Sequence, residues 1–216
     1  LKIAILGQGY VGQSIGFEAA KAGHEVIGLD IDAETIENVN SKTSGLNYLA
    51  TLDEKLIDGA DVAIIAVPTP LNEFRDPDLS NITNVCKTLI NNLKKRTLII
   101  NESTSYPGTL RNEIAGEIER KSGLKHMYAS SPERVDPGNE KWSQRNTPRL
   151  IGGLTPEATT RAREFYSSFC DEVIEVSAPE IAEVAKLFEN TFRQVNIALV
   201  NEFARICEAL AIPVRE

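Results

Sequence analysis

Gly7, Gly9 and Gly12 fall in the run Gly7-Gln8-Gly9-Tyr10-Val11-Gly12, directly after an apolar stretch at 2–6. Glycines at this spacing let a backbone grip a pyrophosphate. The first permits a tight turn, the second lets phosphate approach the main chain, and the third lets a helix pack close to a strand. A helix starting at Tyr10 and Val11 adds unpaired N–H groups and the positive end of its dipole. Asp30 lies 18 residues past Gly12, the distance at which a carboxylate reaches ribose hydroxyls. Ile31 and Asp32 follow it and supply no Arg for a 2′-phosphate, so NAD is expected over NADP.

Further reactive groups sit at the ends of later apolar runs and on one helical stretch. Thr69 stands between Pro68 and Pro70 after the run at 62–67, where the prolines fix the chain for a wall beside the nicotinamide ribose, or for a plain turn. Ser103 and Thr104 follow the run at 97–101, at the strand end where open α/β folds bind ligands. Ser103 is expected to touch the cofactor, and the bland reading of Thr104 is a hydroxyl that caps the next helix. Lys186 and Asn190 are four apart and Arg193 is three further on, so a helix puts all three on one face. Leu187, Phe188, Phe192, Val195, Ile197 and Leu199 surround them, and a polar stripe on a helix otherwise buried needs partners. His24 and His126 flank strand starts, the wrong edge for chemistry, and are read as structural; Trp142 is read as a packing anchor.

Short apolar runs at 2–6, 25–29, 62–67, 97–101, 126–130, 149–152 and 173–176 must position these groups. Helical patterns at 10–22, 33–40, 81–93, 108–121 and 156–169 alternate with them. Such alternation predicts a Rossmann-type, doubly wound α/β fold: a mostly parallel sheet with helices on both faces and right-handed crossovers. Two segments break the rhythm. Residues 131–148 are rich in proline and polar side chains and read as a long functional loop, and 71–80 reads as a mobile rim. Residues 179–210 read as one long connector helix, opened by Pro179 and closed near Pro213. The expected division is a dinucleotide-binding domain at 1–178 and, at 179–216, the start of a second domain.

Composition narrows the function classes. In 216 residues, Lys plus Arg is 23 and Asp plus Glu is 31, a net charge of −8 that would repel a nucleic-acid backbone. Hydrophobic residues at 42% and charged residues at 25% are ordinary globular values. Cys86, Cys170 and Cys207 are odd in number and far apart, so neither a disulfide framework nor a metal site is indicated. No apolar run is long enough to span a membrane and no signal peptide opens the chain, which suits the cytoplasm. The chain opens on Leu1 and stops at Glu216 without a terminal motif, as expected of a piece of a longer protein.

Five motifs in order carry a resemblance: Gly7–Gly12; Val67-Pro-Thr-Pro70; Glu102-Ser-Thr-Ser-Tyr-Pro-Gly108; Ser131-Pro-Glu-Arg134 with Asp136-Pro-Gly138; and the run from Ala182 to Asn196. Together they resemble the UDP-sugar 6-dehydrogenase family over nearly the whole chain. The STSYPG, SPERVDPGN and LFENTFRQVNIALVNE stretches are most like the branch acting on UDP-N-acetylhexosamines, the N-acetylglucosamine enzymes first.

The resemblance implies oxidation of a sugar C6 alcohol to the carboxylate with two NAD, through a thioester on a cysteine. That cysteine is expected in a Gly-Gly-x-Cys motif of a second domain, and Cys86, Cys170 and Cys207 lack its surroundings, so this chain alone is expected to be inactive. It implies that Lys186 and Asn190 stabilise the oxygen developing at C6, that Thr104 holds the hydrolytic water, and that Glu133 is a general base. Arg193 and Arg134 are expected to contact substrate, and Asp136 is the nearest match for a second loop carboxylate. The implied cofactor set is Gly7, Gly9, Tyr10, Val11, Gly12, Asp30, Pro68, Thr69 and Ser103. In the family the connector helix forms a dimer core, so a homodimer through 179–210 is expected. UDP-glucose and UDP-N-acetylmannosamine remain alternative substrates. A module that senses NAD without catalysis remains a rival, as does another two-domain dehydrogenase, although neither explains the later motifs.

Overall fold

The apolar runs pair side by side, and their alternating side chains divide into two cores. In the computed structural model, which describes residues 1–134 and 141–215, the strands are β1 (Lys2–Leu6), β2 (Glu25–Leu29), β3 (Tyr48–Thr51), β4 (Val62–Ile65), β5 (Leu98–Asn101), β6 (Met127–Ser130), β7 (Arg149–Gly153) and β8 (Val173–Glu175). They form one sheet in the order β3-β2-β1-β4-β5-β6-β7-β8. All neighbours are parallel except β6 and β7, which pair antiparallel through Ala129 with Gly153 and Ser130 with Gly152. The helices are α1 (Tyr10–Lys21), α2 (Ala33–Lys42), α3 (Ser80–Asn92), α4 (Gly116–Ser122), α5 (Pro156–Tyr166) and α6 (Pro179–Ala209).

Period-two alternation sends Ile3 and Ile5 of β1 into one core, with Ile15 and Ala19 of α1 and Phe165 of α5. Ala4 and Leu6 of the same strand enter the other, with Ile82 and Leu89 of α3 and Ile118 of α4. Each fully buried Ile or Leu contributes about 1.5–3 kcal/mol. Local chemistry starts the helices: Asp32 accepts from Thr35 N–H at 2.9 Å to cap α2, and Thr155 caps α5 just before Pro156. No side chain caps α1, so its first-turn amides face outward from the glycine turn.

The architecture is the expected α/β sheet followed by a long helix, with corrections in detail. The structure adds β3, an edge strand whose four residues Tyr-Leu-Ala-Thr are held by its inner neighbour β2 and by the Asn40 carboxamide of α2, which bonds both Ala50 N–H and Ala50 carbonyl. The single helix expected at 108–121 is split, Thr109–Ala115 winding as a wider π-type turn before α4 begins. Within the stretch read as a mobile rim, Leu71 pairs with Pro77, and the Asn72 carboxamide accepts from Phe74 and Asp76 N–H at 2.9 Å each. Trp142, expected as a packing anchor, is exposed, with the Lys141 ammonium 5.5 Å from its ring.

Candidate functional site

The strand order reverses between β1 and β4, and a cleft of about 680 Å³ opens at their C-terminal ends. In open α/β sheets this is where ligands bind. Leu6, Gly7 and Gly9 line one side, Asp30 another, and Ala66 and Pro68 a third. Gly7 has φ +99°, a conformation that L side chains avoid, and a Cβ on it would lie 2.4 Å from the Ala66 carbonyl oxygen. A Cβ on Gly12 would lie 1.9 Å from the Gly7 carbonyl oxygen, so helix and turn touch only because it is glycine. At Gly9 a Cβ would meet nothing within 4 Å; the space above this backbone is open.

Asp30 ends β2 with both carboxylate oxygens oriented. Oδ2 accepts from Gln8 N–H at 2.6 Å, and Oδ1 accepts from Ile31 N–H at 2.7 Å and Asp32 N–H at 3.1 Å. An open glycine backbone, an uncapped helix start and a fixed carboxylate across a cleft fit a dinucleotide: phosphates over Gly9 and α1, ribose at Asp30. Tyr10 is exposed and Val11 half-buried at the start of α1.

The other strand ends are tied to each other. The Thr69 hydroxyl donates to the Thr104 carbonyl at 2.6 Å, and Asn81 Nδ2 donates to the Pro68 carbonyl at 2.9 Å. Buried Ser103 accepts from Val67 N–H at 3.0 Å and donates to the Val67 carbonyl at 2.8 Å, so its hydroxyl is committed to holding the end of β4. Thr104 caps no helix: the turn at 109–115 is preceded by Gly108, and its first amides are taken by a carboxylate from elsewhere in the chain.

Glu133 is buried rather than solvated. It accepts from Gln144 Nε2 and lies 3.7 Å from Arg149 Nη2. Arg149 also donates to Glu102, to the Ser131 hydroxyl at 3.1 Å and to Gln144 Oε1, and it stacks 4.3 Å from the Tyr166 ring centroid. Tyr166 in turn donates to Glu102. Burial pushes Glu102 up to about 7, against the pull of Arg149 and with help from Glu133. Arg149 stays charged: its neighbours outweigh its desolvation and raise it.

The connector helix carries the remaining groups. Lys186 is half-buried; desolvation lowers its ammonium, and the Glu133 carboxylate opposes the drop. Arg134 forms a two-pronged ion pair with Glu189 of α6 and donates to the Pro148 carbonyl at 3.0 Å. Asn190 and Arg193 lie further along, exposed beside a shallow groove with Gln194 and Asn201. The helix is therefore not buried around its polar stripe: from residue 190 to 203 nearly every position is exposed. Asp136 lies outside the described residues.

Several organising residues escaped the sequence reading. Glu183, buried on α6, accepts from Gly108 N–H at 2.7 Å and Leu110 N–H at 3.0 Å and so caps the turn after Thr104 from 75 residues away. Desolvation raises its carboxyl, against those two amides. Glu102 had a signal, a carboxylate set directly against the apolar run 98–101. Arg149, Gln144, Gln8 and Tyr48 had none. His126 is buried and accepts from Thr97 N–H at 3.2 Å, and His24 hydrogen-bonds Ser168 at 2.9 Å. Cys86, Cys170 and Cys207 are all buried free thiols, and burial pushes Cys86 up to about 12. Among the described residues, no group of three or more His, Cys, Asp or Glu could hold a metal ion, and no helix is long and apolar enough to cross a membrane.

Residues 1–47 and 42–170 match the UDP-glucose/GDP-mannose dehydrogenase family, NAD binding domain, and residues 180–216 match the central domain of that family. The chain is 35% identical to the UDP-N-acetyl-D-mannosamine dehydrogenase of Pyrococcus horikoshii, aligning over 100% of its own length and 56% of the relative's. It is 33% identical to the UDP-N-acetyl-D-glucosamine 6-dehydrogenase of Pseudomonas aeruginosa, over 98% of its own length and 54% of the other's. The solved structure of the Pyrococcus horikoshii UDP-N-acetylmannosamine dehydrogenase superposes with a TM-score of 0.91 at 34% identity, covering 100% of this chain and 56% of that one. The chain thus spans about half the length of these relatives.

Proposed function

The chain belongs to the UDP-glucose/GDP-mannose dehydrogenase family, as its NAD-binding domain and the first part of its central domain, and on that footing we propose that the complete protein is a cytoplasmic enzyme that oxidises the C6 alcohol of a UDP-N-acetylhexosamine to the uronate. We assign residues 1–178 to the cofactor domain and 179–216 to the start of the domain that completes the substrate site. The observation that carries the reading is convergence at one sheet edge. The glycine turn and Asp30, the joined strand ends at Thr69 and Thr104, and Glu133 all lie there, and Lys186 of α6 lies within the field of Glu133.

NAD supplies the hydride acceptor for each of the two oxidations. The residues of the chain do the rest. Asp30, oriented by the three amides that donate to it, accepts from the ribose hydroxyls and discriminates against a 2′-phosphate by charge. Gly9 and the start of α1 take the pyrophosphate, and Pro68 and Thr69 wall the nicotinamide end. Lys186 and Asn190 donate hydrogen bonds to the oxygen as charge develops on it, and Thr104 orients water for Glu133 to deprotonate. Arg134 and Arg193 serve the substrate side of α6. Because all three cysteines are buried thiols, none is placed as a nucleophile, and that role falls to the remaining half.

N-acetylglucosamine is the preferred sugar, on the STSYPG and SPER motifs; relatives named for mannosamine and glucosamine align at nearly equal identity. The test is to assay the complete protein on UDP-N-acetylglucosamine, UDP-N-acetylmannosamine and UDP-glucose. Sustained formation of two NADH per sugar is expected on one of the acetylated sugars, and none from the 216-residue chain alone. A complete protein that makes no NADH on all three sugars would overturn the proposal.

A further inference from the structure

Gln8 occupies the variable second position of the glycine run, yet it is fully buried. Its carboxamide folds back beneath the turn: Nε2 donates to the Ile5 carbonyl at 3.1 Å and the Gly7 carbonyl at 3.2 Å. Oε1 accepts from the hydroxyl of Tyr48 on β3, 40 residues away. The backbone of Gln8 is also committed, its N–H to Asp30 Oδ2 at 2.6 Å and its carbonyl to Gln13 Nε2 at 2.6 Å. One residue thus ties together the end of β1, the glycine turn, the ribose carboxylate and the first helix.

Two glycines outside the fingerprint make room for this pair. A Cβ on Gly28 of β2 would lie 2.4 Å from Gln8 Oε1. A Cβ on Gly16 of α1 would lie 2.5 Å from the Tyr48 ring, which also packs edge-on against Phe17 at 6.0 Å. A polar bond enclosed this completely is lost wholly when one partner goes, because the other is left buried without water.

We propose that Gln8 and Tyr48 are positioning residues for the dinucleotide, their buried hydrogen bond holding the Gly7–Gly9 backbone and the Asp30 carboxylate in the geometry that receives pyrophosphate and ribose. Tyr48 lies outside the lining of the cleft, and Gln8 lines it with its carboxamide folded back onto the Ile5 and Gly7 carbonyls. The pair acts by keeping the Gly9 backbone open to the cleft and by keeping Gln8 N–H on Asp30. Strand β3, whose Thr51 carbonyl also accepts from Asp30 N–H at 3.3 Å, reaches beneath the glycine turn through the Tyr48 hydroxyl.

The test is titration calorimetry of NAD into the 216-residue chain, with thermal melts alongside. Tyr48→Phe and Gln8→Leu should each weaken NAD binding at least fivefold at a temperature where the melts show every variant folded. Gln8→Leu/Tyr48→Phe together should bind no worse than either single variant, because removing both partners strands neither. Gly28→Ala, which pushes the carboxamide aside without deleting a polar group, should weaken binding in the same way. Variants that melt lower but bind NAD within twofold of the unmutated chain would show a purely structural pair and overturn the proposal. Multiplicative losses in the double variant would also overturn it. An unmutated chain with no NAD affinity would instead defeat the cofactor site itself, a distinguishable result.

Discussion

Replacing Glu102 with Gln tests whether the buried cluster holds more negative groups than its one guanidinium can balance. Glu102 and Glu133 both lie against Arg149, and the three side chains are almost fully enclosed. Burial raises Glu102 from 4.5 to about 7, so its folded value lies above its unfolded one. A carboxyl of that kind contributes stability that is complete below the unfolded value and is lost as pH rises through the folded value. With those two limits, the loss between about pH 5 and about pH 8 is on the order of 2–3 kcal/mol. Glutamine does not titrate, so the unmutated chain should lose on the order of 2–3 kcal/mol more than Glu102→Gln over that interval. Urea unfolding followed by circular dichroism at fixed ionic strength measures the difference, and the slopes of the two curves should match so that midpoints compare directly. Arg149→Gln is the counterpart: it removes the guanidinium that lies against both carboxylates, and breaking such a pair costs about 3–5 kcal/mol. Its damage should be greatest at high pH. A stability difference between the unmutated chain and Glu102→Gln that is flat with pH would refute the charge imbalance, and so would a Glu102→Gln chain that falls behind as pH rises.

The remaining predictions concern the cofactor, the chemistry and the assembly. Asp30→Ala should weaken NAD binding by about 1.5–3 kcal/mol, the worth of hydrogen bonds to a charged group, and narrow the preference over NADP; equal affinity of the unmutated chain for both cofactors would remove the role of Asp30. In the complete protein, Lys186→Ala should lower kcat more than tenfold, taking an oxyanion donor as worth about 2.7–4 kcal/mol, and an unchanged kcat would take Lys186 out of the mechanism. Phe188, Phe192, Leu199 and Phe203 of α6 are 62–70% exposed, and large exposed apolar patches mark interaction surfaces, so the chain should sediment as a dimer closed by twofold symmetry. Phe192→Glu or Leu199→Glu should dissociate or aggregate it, and a soluble, folded monomer at high concentration would count against the pairing.

Sequence was most legible where structure is local. The unit from β1 through the glycine turn and α1 to Asp30 could be read directly, because Gly7 and Gly12 answer steric demands from an adjacent strand end and from the turn itself, while Gly9 leaves the space above its backbone open. The extent of α6 was equally clear from Pro179 and an unbroken helical pattern, and it ends at Ala209. The resemblance in five ordered motifs pointed to the family before any coordinate. β3 escaped because four residues carry too little periodicity, and its stability comes from β2 and from Tyr48 reaching Gln8. The split of the 108–121 helix escaped because its N-terminal amides are satisfied by Glu183, which lies far along the chain.

What the chain by itself determined, then, was the order of elements, the dinucleotide turn and the set of polar residues at strand ends. Only the tertiary structure decided which of those polar residues face water and which face each other. Lys186 is half-buried on α6, where the Glu133 carboxylate, remote in sequence, offsets part of the cost of burying its ammonium. Glu102, Gln144 and Arg149 join Glu133 in a cluster closed by hydrogen bonds between side chains. The physical reason is that a buried charge is tolerated only where partners converge on it. That convergence is a property of the folded sheet, with β7 turned antiparallel beside β6 so that Arg149 reaches back across the strand ends.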